Sequence, residues 1–352
     1  MKKLHHEQNP DPRPVFVFQW HITDECDQRC RHCYIYGENA DRRPQSMDPA
    51  LMREIAARCA EFCGHMGYRP EFALTGGDPL LHPGFDALAE LLHREGISFS
   101  ILGNPFHLTE KRCRKLKKLG CVRYQLSIDG LEETHDWFRR PGSYRETLEK
   151  IALLNRCGLE SAVMTTVSSR NIGEIPAVID TMVQAQVRHY AFSRWCPSGG
   201  EKSNGIEPAR YRQLLADCAS KIRGYLGAGC VTGFGKKDHL WTLYDYECGR
   251  FVPPENAEEN VIYGGCHCGQ NHLTILPDGE VWACRRVPDS RVGRLPDDSL
   301  AEIWVNRLAP YRQPEKFEKC AGCELLRFCR GCPAVAASSS GSFYSPDPQC
   351  WK

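Results

Sequence analysis

Between residues 14 and 230, short runs rich in β-branched and aromatic residues alternate with stretches whose apolar residues recur at helical spacing. The runs are PVFVFQWHIT, EFALTGG, FSILGN, RYQLSIDG, SAVMTTVSS and HYAFSRWC. The stretches between them are DPALMREIAARCAEFC, FDALAELLHREG, LTEKRCRKLKKLG, SYRETLEKIALLNRCG, IGEIPAVIDTMVQAQV and EPARYRQLLADCASKIRGYL. This succession of strand and helix predicts an α/β fold with a parallel sheet covered by helices. Six units are too few to close an eight-stranded barrel, so the expectation is a partial (β/α)6 TIM-like barrel open on one side, with a doubly wound sheet as the competing architecture. Glycines at 120 and 158 stop helices, and Ser46 or Asp48 stands where a helix near residue 50 needs its cap.

Past residue 230 the alternation ends. Residues 231–265, rich in glycine, proline and charge, read as a bridge, and residues 266–352 read as a small cysteine-rich domain following the barrel of residues 14–230. HLTILPDGEVWAC within the last part predicts a hairpin about its PDG turn. This part has little apolar sequence, so bound metal is expected to hold it together. No internal repeat is visible.

The composition is that of a globular protein, with 41% hydrophobic and 25% charged residues in 352. The formal charge is +1, so no field draws the chain to nucleic acid or to a membrane surface. The basic stretch KRCRKLKKLG reads as a solvated helix face. There is no long apolar run, and no apolar segment follows the basic start, so neither a membrane span nor a signal peptide is expected and the compartment is read as the cytoplasm. Twenty cysteines in a reducing compartment argue for metal rather than disulfides.

Three of those cysteines, Cys26, Cys30 and Cys33, stand at C-x3-C-x2-C spacing just past the end of the first strand, where parallel α/β folds bind ligands. Three thiolates hold a four-iron cluster by three of its irons and leave one open to an outside ligand. This resembles the radical S-adenosylmethionine (SAM) family, in which SAM chelates that iron. LTGGDPLLHP resembles the family's motif after the second strand, and the resemblance implies that Gly76, Gly77 and Asp78 receive the methionine ammonium, with Asp78 in place of the usual glutamate. LSIDGLEETHDWFRR fits at the fourth strand, where Ser127 and Asp129 are expected to face the SAM carboxylate or ribose and Arg139 or Arg140 to pair with the carboxylate. Thr165 and Asn171 are weaker candidates for adenine or ribose, LGNP is a weak match after the third strand, and His32 is expected to pack on the adenine.

The C-terminal cysteines resemble the twin-cluster SPASM extension. The pattern runs through Cys266, Cys268, Gly279-x4-Cys284, then Cys320, Cys323, Cys329 and Cys332, and finally Cys350, with one spacing, before Cys332, a residue shorter than the family's. The resemblance implies an outer cluster on Cys320, Cys323, Cys329 and Cys350 and an inner one on Cys266, Cys284 and Cys332. Cys268, Cys248 or a substrate thiolate remains open as the fourth inner ligand. Cys59, Cys63, Cys113, Cys121, Cys157, Cys218 and Cys230 read as small core residues. Cys196, at the end of the sixth strand, is the candidate for a catalytic thiol that exchanges a proton or hydrogen atom.

The resemblance implies an enzyme with SAM and three [4Fe-4S] clusters, fed by an electron donor such as flavodoxin or ferredoxin, that oxidatively modifies a ribosomally made peptide by a thioether or carbon–carbon crosslink. Formylglycine formation in sulfatases is the runner-up, disfavoured because Arg285 follows Cys284 where that subfamily has an aspartate. Peptide epimerisation and, outside enzymes altogether, a passive iron–sulfur electron carrier compete with these two activities. About 13 residues precede the first strand, so a separate leader-binding protein is a conceivable partner.

Overall fold

This computed structural model describes residues 11–36, 43–197, 203–258, 261–287 and 290–352. The six expected strands form: β1 (Val15–Thr23), β2 (Arg69–Gly76), β3 (Phe99–Leu102), β4 (Cys121–Ser127), β5 (Glu160–Val167) and β6 (His189–Arg194). They lie side by side in sequence order, each parallel to the next. A doubly wound sheet would reverse its order part-way, so the consecutive order settles the architecture as the partial barrel. The strands are covered by α1 (Pro49–His65), α2 (Phe85–Arg94), α3 (Glu110–Lys118), α4 (Glu132–Phe138), α5 (Ser143–Arg156), α6 (Ile175–Gln184) and α7 (Pro208–Gly227).

Local chemistry explains the punctuation. Asp48, not Ser46, caps α1, its carboxylate accepting from Ala50 N at 2.7 Å with Pro49 in the first turn. Ser46 instead pairs its hydroxyl with that of Thr23 at 2.6 Å. Strand alternation sorts β1 into two faces. Phe16, Phe18, Trp20 and Ile22 are fully buried toward the helices, Phe16 meeting Phe62 of α1 edge-on at 5.2 Å. Gln19 and His21 therefore point into the barrel.

The sheet does not stop at the barrel. After β7 (Gly233–Gly235), which extends the β6 edge, and helix α8 (Leu240–Glu247), the chain returns to the opposite edge, where β8 (His272–Ile275) pairs parallel with β1. β9 (Glu280–Trp282) and β10 (Arg291–Arg294) continue antiparallel, so the PDG hairpin forms as part of one ten-stranded sheet. Leu273, Ile275, Val281, Leu295, Ile303 and Leu308 join the barrel's own apolar core, and a second cluster gathers Val287, Phe317, Val335 and Phe343 around cysteines. The cysteine-rich region thus buries more apolar surface than its composition suggested, because β1 lends it an edge to build on. The bridge of residues 231–265 contains β7 and α8.

Candidate active site and its cysteine clusters

The loop after β1 carries Cys26, Cys30 and Cys33 and is laced to the ends of the next strands. Gly76 and Gly77 serve this contact sterically: a Cβ would lie 1.9 Å from Thr23 O at Gly76 and 2.0 Å from Glu25 O at Gly77, and Gly76 has φ +129°. Their closeness lets Gly77 N donate to Thr23 O at 2.8 Å and Asp78 N to Glu25 O at 2.7 Å. Asn104, in the LGNP loop, donates from Nδ2 to Cys26 Sγ at 3.3 Å and to Asp27 Oδ1 at 2.7 Å. Sequence reading passed over Asn104, and the only sign of it was that weak motif. Burial pushes the Cys30 thiol up to about 11 and raises that of Cys26, as expected of thiols that ionise only when a cation replaces their protons.

Asp78 is buried, accepts from Leu80 N at 2.9 Å and Asn104 N at 3.2 Å, and has no ion-pair partner among the described residues. Burial pushes its carboxyl up to about 6. A buried carboxylate lacking a cation suits an incoming ammonium, and Asp27 and His107, themselves paired at 3.0 Å, lie within 4.8 Å of it. These observations fit the methionine end of SAM.

Asp129 departs from expectation. Its Oδ1 accepts from Thr166 N at 2.9 Å, and its Oδ2 meets Arg139 Nε at 2.7 Å and His32 Nε2 at 3.3 Å. Against the cost of burial, Arg139 and His32 hold it well below the usual carboxylate range. Both oxygens of Asp129 are engaged by the protein, and the carboxylate fixes the positions of Arg139 and His32. Arg139 in turn reaches Cys30 Sγ at 3.7 Å, which places its charge beside the cluster loop. His32 packs edge-on against Phe138 at 4.9 Å, and Arg140 stacks 3.4 Å from the centre of the Phe106 ring. Thr165 and Asn171 are likewise used internally: Thr165 Oγ1 donates to Ile128 O at 2.5 Å, and Asn171 Nδ2 donates to Asp129 O and Thr166 O, both at 2.8 Å. Ser127, half-buried at the end of β4, makes no side-chain hydrogen bond among the described residues and stays available to a ligand.

Two further groups of thiols form. Cys320, Cys323, Cys329 and Cys350 line one cavity of about 30 Å³. Burial pushes Cys320 up to about 11 and Cys329 up to about 12. Next to this group, Cys268 lies within hydrogen-bond reach of both Cys266 and Cys284, and its backbone N–H points to Cys266 Sγ at 3.5 Å. Cys332 completes the inner group. Cys248 does not belong to it, being exposed at the end of α8 with Arg212 and Arg250 as charged neighbours. Cys196 is buried against Cys332 instead of standing free at the barrel mouth, so the inner group has five thiols, Cys266, Cys268, Cys284, Cys332 and Cys196. Three thiols at one site and four or more at each of the other two fit the ligand needs of four-iron clusters.

A buried ion pair that the sequence did not disclose locks these pieces together. Arg194, fully buried at the end of β6, bonds Asp238 through Nε at 2.8 Å and Nη2 at 3.1 Å, and Asp347 through Nη1 at 2.6 Å and Nη2 at 2.8 Å. Asp347 also accepts from Cys332 N at 2.7 Å, and its carbonyl accepts from Cys350 N at 3.0 Å. One guanidinium thereby ties the barrel to ligand loops of both C-terminal groups.

Comparison with known proteins agrees with this geometry. Residues 20–182 match the radical SAM superfamily and residues 266–333 match the SPASM iron–sulfur cluster-binding domain. An AdoMet-dependent heme synthase of Methanosarcina barkeri is 28% identical over 95% of each chain. The PqqA peptide cyclase of Ruegeria pomeroyi is 23% identical over 96% of this chain and 87% of its own. The fold of Streptococcus suis SuiB, solved with its precursor peptide SuiA, superposes with TM-score 0.76 over 97% of this chain and 76% of that one at 17% identity. The chain belongs to the radical SAM superfamily and carries a SPASM domain; it is an enzyme that binds SAM and iron–sulfur clusters. No helix among the described residues is long and apolar enough to cross a membrane.

Proposed function

We propose that this enzyme oxidatively crosslinks a ribosomally made peptide, with one [4Fe-4S] cluster on Cys26, Cys30 and Cys33, an inner auxiliary cluster on Cys266, Cys268, Cys284 and Cys332, and an outer one on Cys320, Cys323, Cys329 and Cys350. When bound, SAM at the first cluster would supply the hydrogen-abstracting radical, and the auxiliary clusters held by the C-terminal thiols would supply the acceptor for the one electron that a crosslink releases together with a proton. The protein's share is placement. Asp78 and Ser127 hold SAM, Asp129 aims Arg139 and His32 at the cluster loop, and Arg194 holds the auxiliary ligands against the barrel. A small electron-carrier protein of the flavodoxin or ferredoxin class supplies the first electron.

The observation that carries the peptide reading is the polar lining between the first cluster loop and the inner thiols, where Tyr34, His21, Arg285, Arg286 and Lys237 meet. Such walls suit a polar chain better than the flat apolar face of a macrocycle. The relative that cyclises a peptide supports it. The 28% identity to a heme synthase over 95% of both chains favours a second reading, action on a tetrapyrrole.

Anaerobic incubation with SAM and a strong reductant tests the class: release of 5'-deoxyadenosine is expected, and a passive electron carrier releases none. Co-expression with the small peptide encoded beside the gene, followed by mass spectrometry, tests the substrate. Loss of two hydrogens per event identifies a crosslink, whereas unchanged mass with deuterium uptake identifies epimerisation. Conversion of coproporphyrin with no change in any peptide establishes the second reading instead.

A further inference from the structure

Arg285, which follows the inner-cluster residue Cys284, has no counter-charge among the described residues. Its guanidinium lies 5.5 Å from the Tyr34 ring and 5.4 Å from the Trp282 ring, two aromatic faces that orient it without accepting its hydrogen bonds. Its Nε is buried without a partner, and the side chain makes no ion pair or hydrogen bond to a described residue. His21, on the barrel-facing side of β1, is wholly buried, and its Nδ1 also lacks a partner. The His21 and Tyr34 rings lie 6.1 Å apart, so the three side chains form one corner inside the barrel. Tyr34 is the residue after Cys33, which sets this corner between the first cluster loop and the inner thiols.

Arg286 and Lys237 are the neighbouring cations, and their surroundings differ. Both side chains are exposed. Their charged neighbours include Cys284 and Cys332, and Cys266 as well for Lys237, so a thiolate-ligated inner cluster offers them a counter-charge. Arg285 has the Tyr34 and Trp282 rings and His21 as its neighbours. The Arg285 side chain is half-buried with its Nε buried and unpartnered, and the buried His21 ring is met at Nε2 by Gln19 at 3.4 Å while its Nδ1 is left open; buried donors left open in this way are costly unless an acceptor fills the gap. Burial and the nearby Arg285 push His21 down to about 3, so the imidazole there is neutral and offers a hydrogen bond without adding a second charge.

We infer that Arg285 and His21 form the recognition site for a carboxylate of the substrate, placed between SAM and the inner auxiliary cluster. The inference rests on the radical SAM reading of the two cluster sites and adds the chemical class of the group bound there. A guanidinium fork fits a carboxylate through two parallel hydrogen bonds. An acidic side chain or C-terminus of a peptide and a propionate of a tetrapyrrole present the same group.

The test uses the reconstituted holoenzyme with SAM and the arginine reagent phenylglyoxal, with modification read at each arginine by mass spectrometry. The probes are coproporphyrin III, a synthetic pool of randomised short peptides, and both after methyl esterification. Arg285 is expected to be modified in the free enzyme and to react about tenfold or more slowly with an acid probe. The esters are expected to leave the rate unchanged. Protection by coproporphyrin III assigns the tetrapyrrole source, and protection by the peptide pool assigns the peptide source. An inert Arg285, protection by neither acid, or equal protection by the esters overturns the proposal. If the wild-type enzyme cleaves SAM and no acid protects Arg285, this inference alone has failed; absence of SAM cleavage would remove the class reading beneath it. On the substrate so identified, Arg285→Gln is expected to raise KM more than it lowers kcat and Arg285→Lys to restore part of the loss, with iron content as the check on folding. A fall in kcat at unchanged KM speaks against a binding role.

Discussion

The two cysteine regions solve opposite problems. In the N-terminal loop, three thiols are spaced within eight residues and are held from outside by Asn104, Arg139 and backbone contacts to Gly77 and Asp78, none of them near in sequence. In the C-terminal region, eight cysteines sort into two groups, and Cys196 of the barrel adds a ninth thiol. The first site has too few thiols to close a cluster and has a cation-lacking carboxylate beside it, as a site that must admit SAM requires. The outer site surrounds its cavity with four thiols and offers no such opening. On the proposed function, ligand count and neighbouring charge, rather than cysteine content, separate a site for bond breaking from one for electron storage.

The contrast breaks most completely if the first site is removed. Replacing Cys26, Cys30 and Cys33 together by Ala is expected to remove about four of roughly twelve irons per chain and to abolish 5'-deoxyadenosine formation, leaving both C-terminal clusters visible by Mössbauer spectroscopy. Zinc in place of iron in the anaerobically purified protein would show that the assignment is wrong. Arg194→Met is the next largest perturbation. It strands the buried carboxylates of Asp238 and Asp347 and is expected to cost about 3–5 kcal/mol. Thermal unfolding should show it, with iron lost first from the C-terminal groups; an unchanged Tm would mean that the pair does not lock the two regions.

The sharper test lies inside the inner group. Cys268→Ala is expected to give a labile inner cluster, to keep SAM cleavage and to lose net product, whereas Cys248→Ala is expected to change none of these. If both retain normal clusters and turnover, and an added cysteine peptide alters the cluster spectrum, the fourth ligand is the substrate's thiolate. The smallest expected effect concerns charge at the first site. Asp78→Ala should weaken SAM binding by about 1.5–3 kcal/mol without changing the iron count. Because burial raises the Asp78 carboxyl to about 6, SAM affinity in the wild type should rise as pH increases through that value and the acid ionises, and the variant should lack this slope. Equal slopes in a calorimetric titration would remove Asp78 from the ammonium site.

The sequence by itself determined the six βα units, the partition of cysteines between a three-thiol loop and a C-terminal array, and the class of chemistry, because periodicity and ligand spacing are local properties of the chain. Glycines at Gly76 and Gly77 were legible as a motif, although their steric reason appeared only where β2 meets the cluster loop. Tertiary structure alone decided what Asp129 does, since a carboxylate at a strand end looks the same in sequence whether it faces a cofactor or, as here, Arg139, His32 and a backbone amide. It also decided that Cys196 joins Cys332 and that Cys248 stays outside, because both stand far from the motif in sequence. Arg194 with Asp238 and Asp347 carried no local signal at all: an ion pair spanning 153 residues exists only once β6 and the C-terminal loop are packed together, and burial then converts three ordinary charged residues into the joint between the barrel and its clusters.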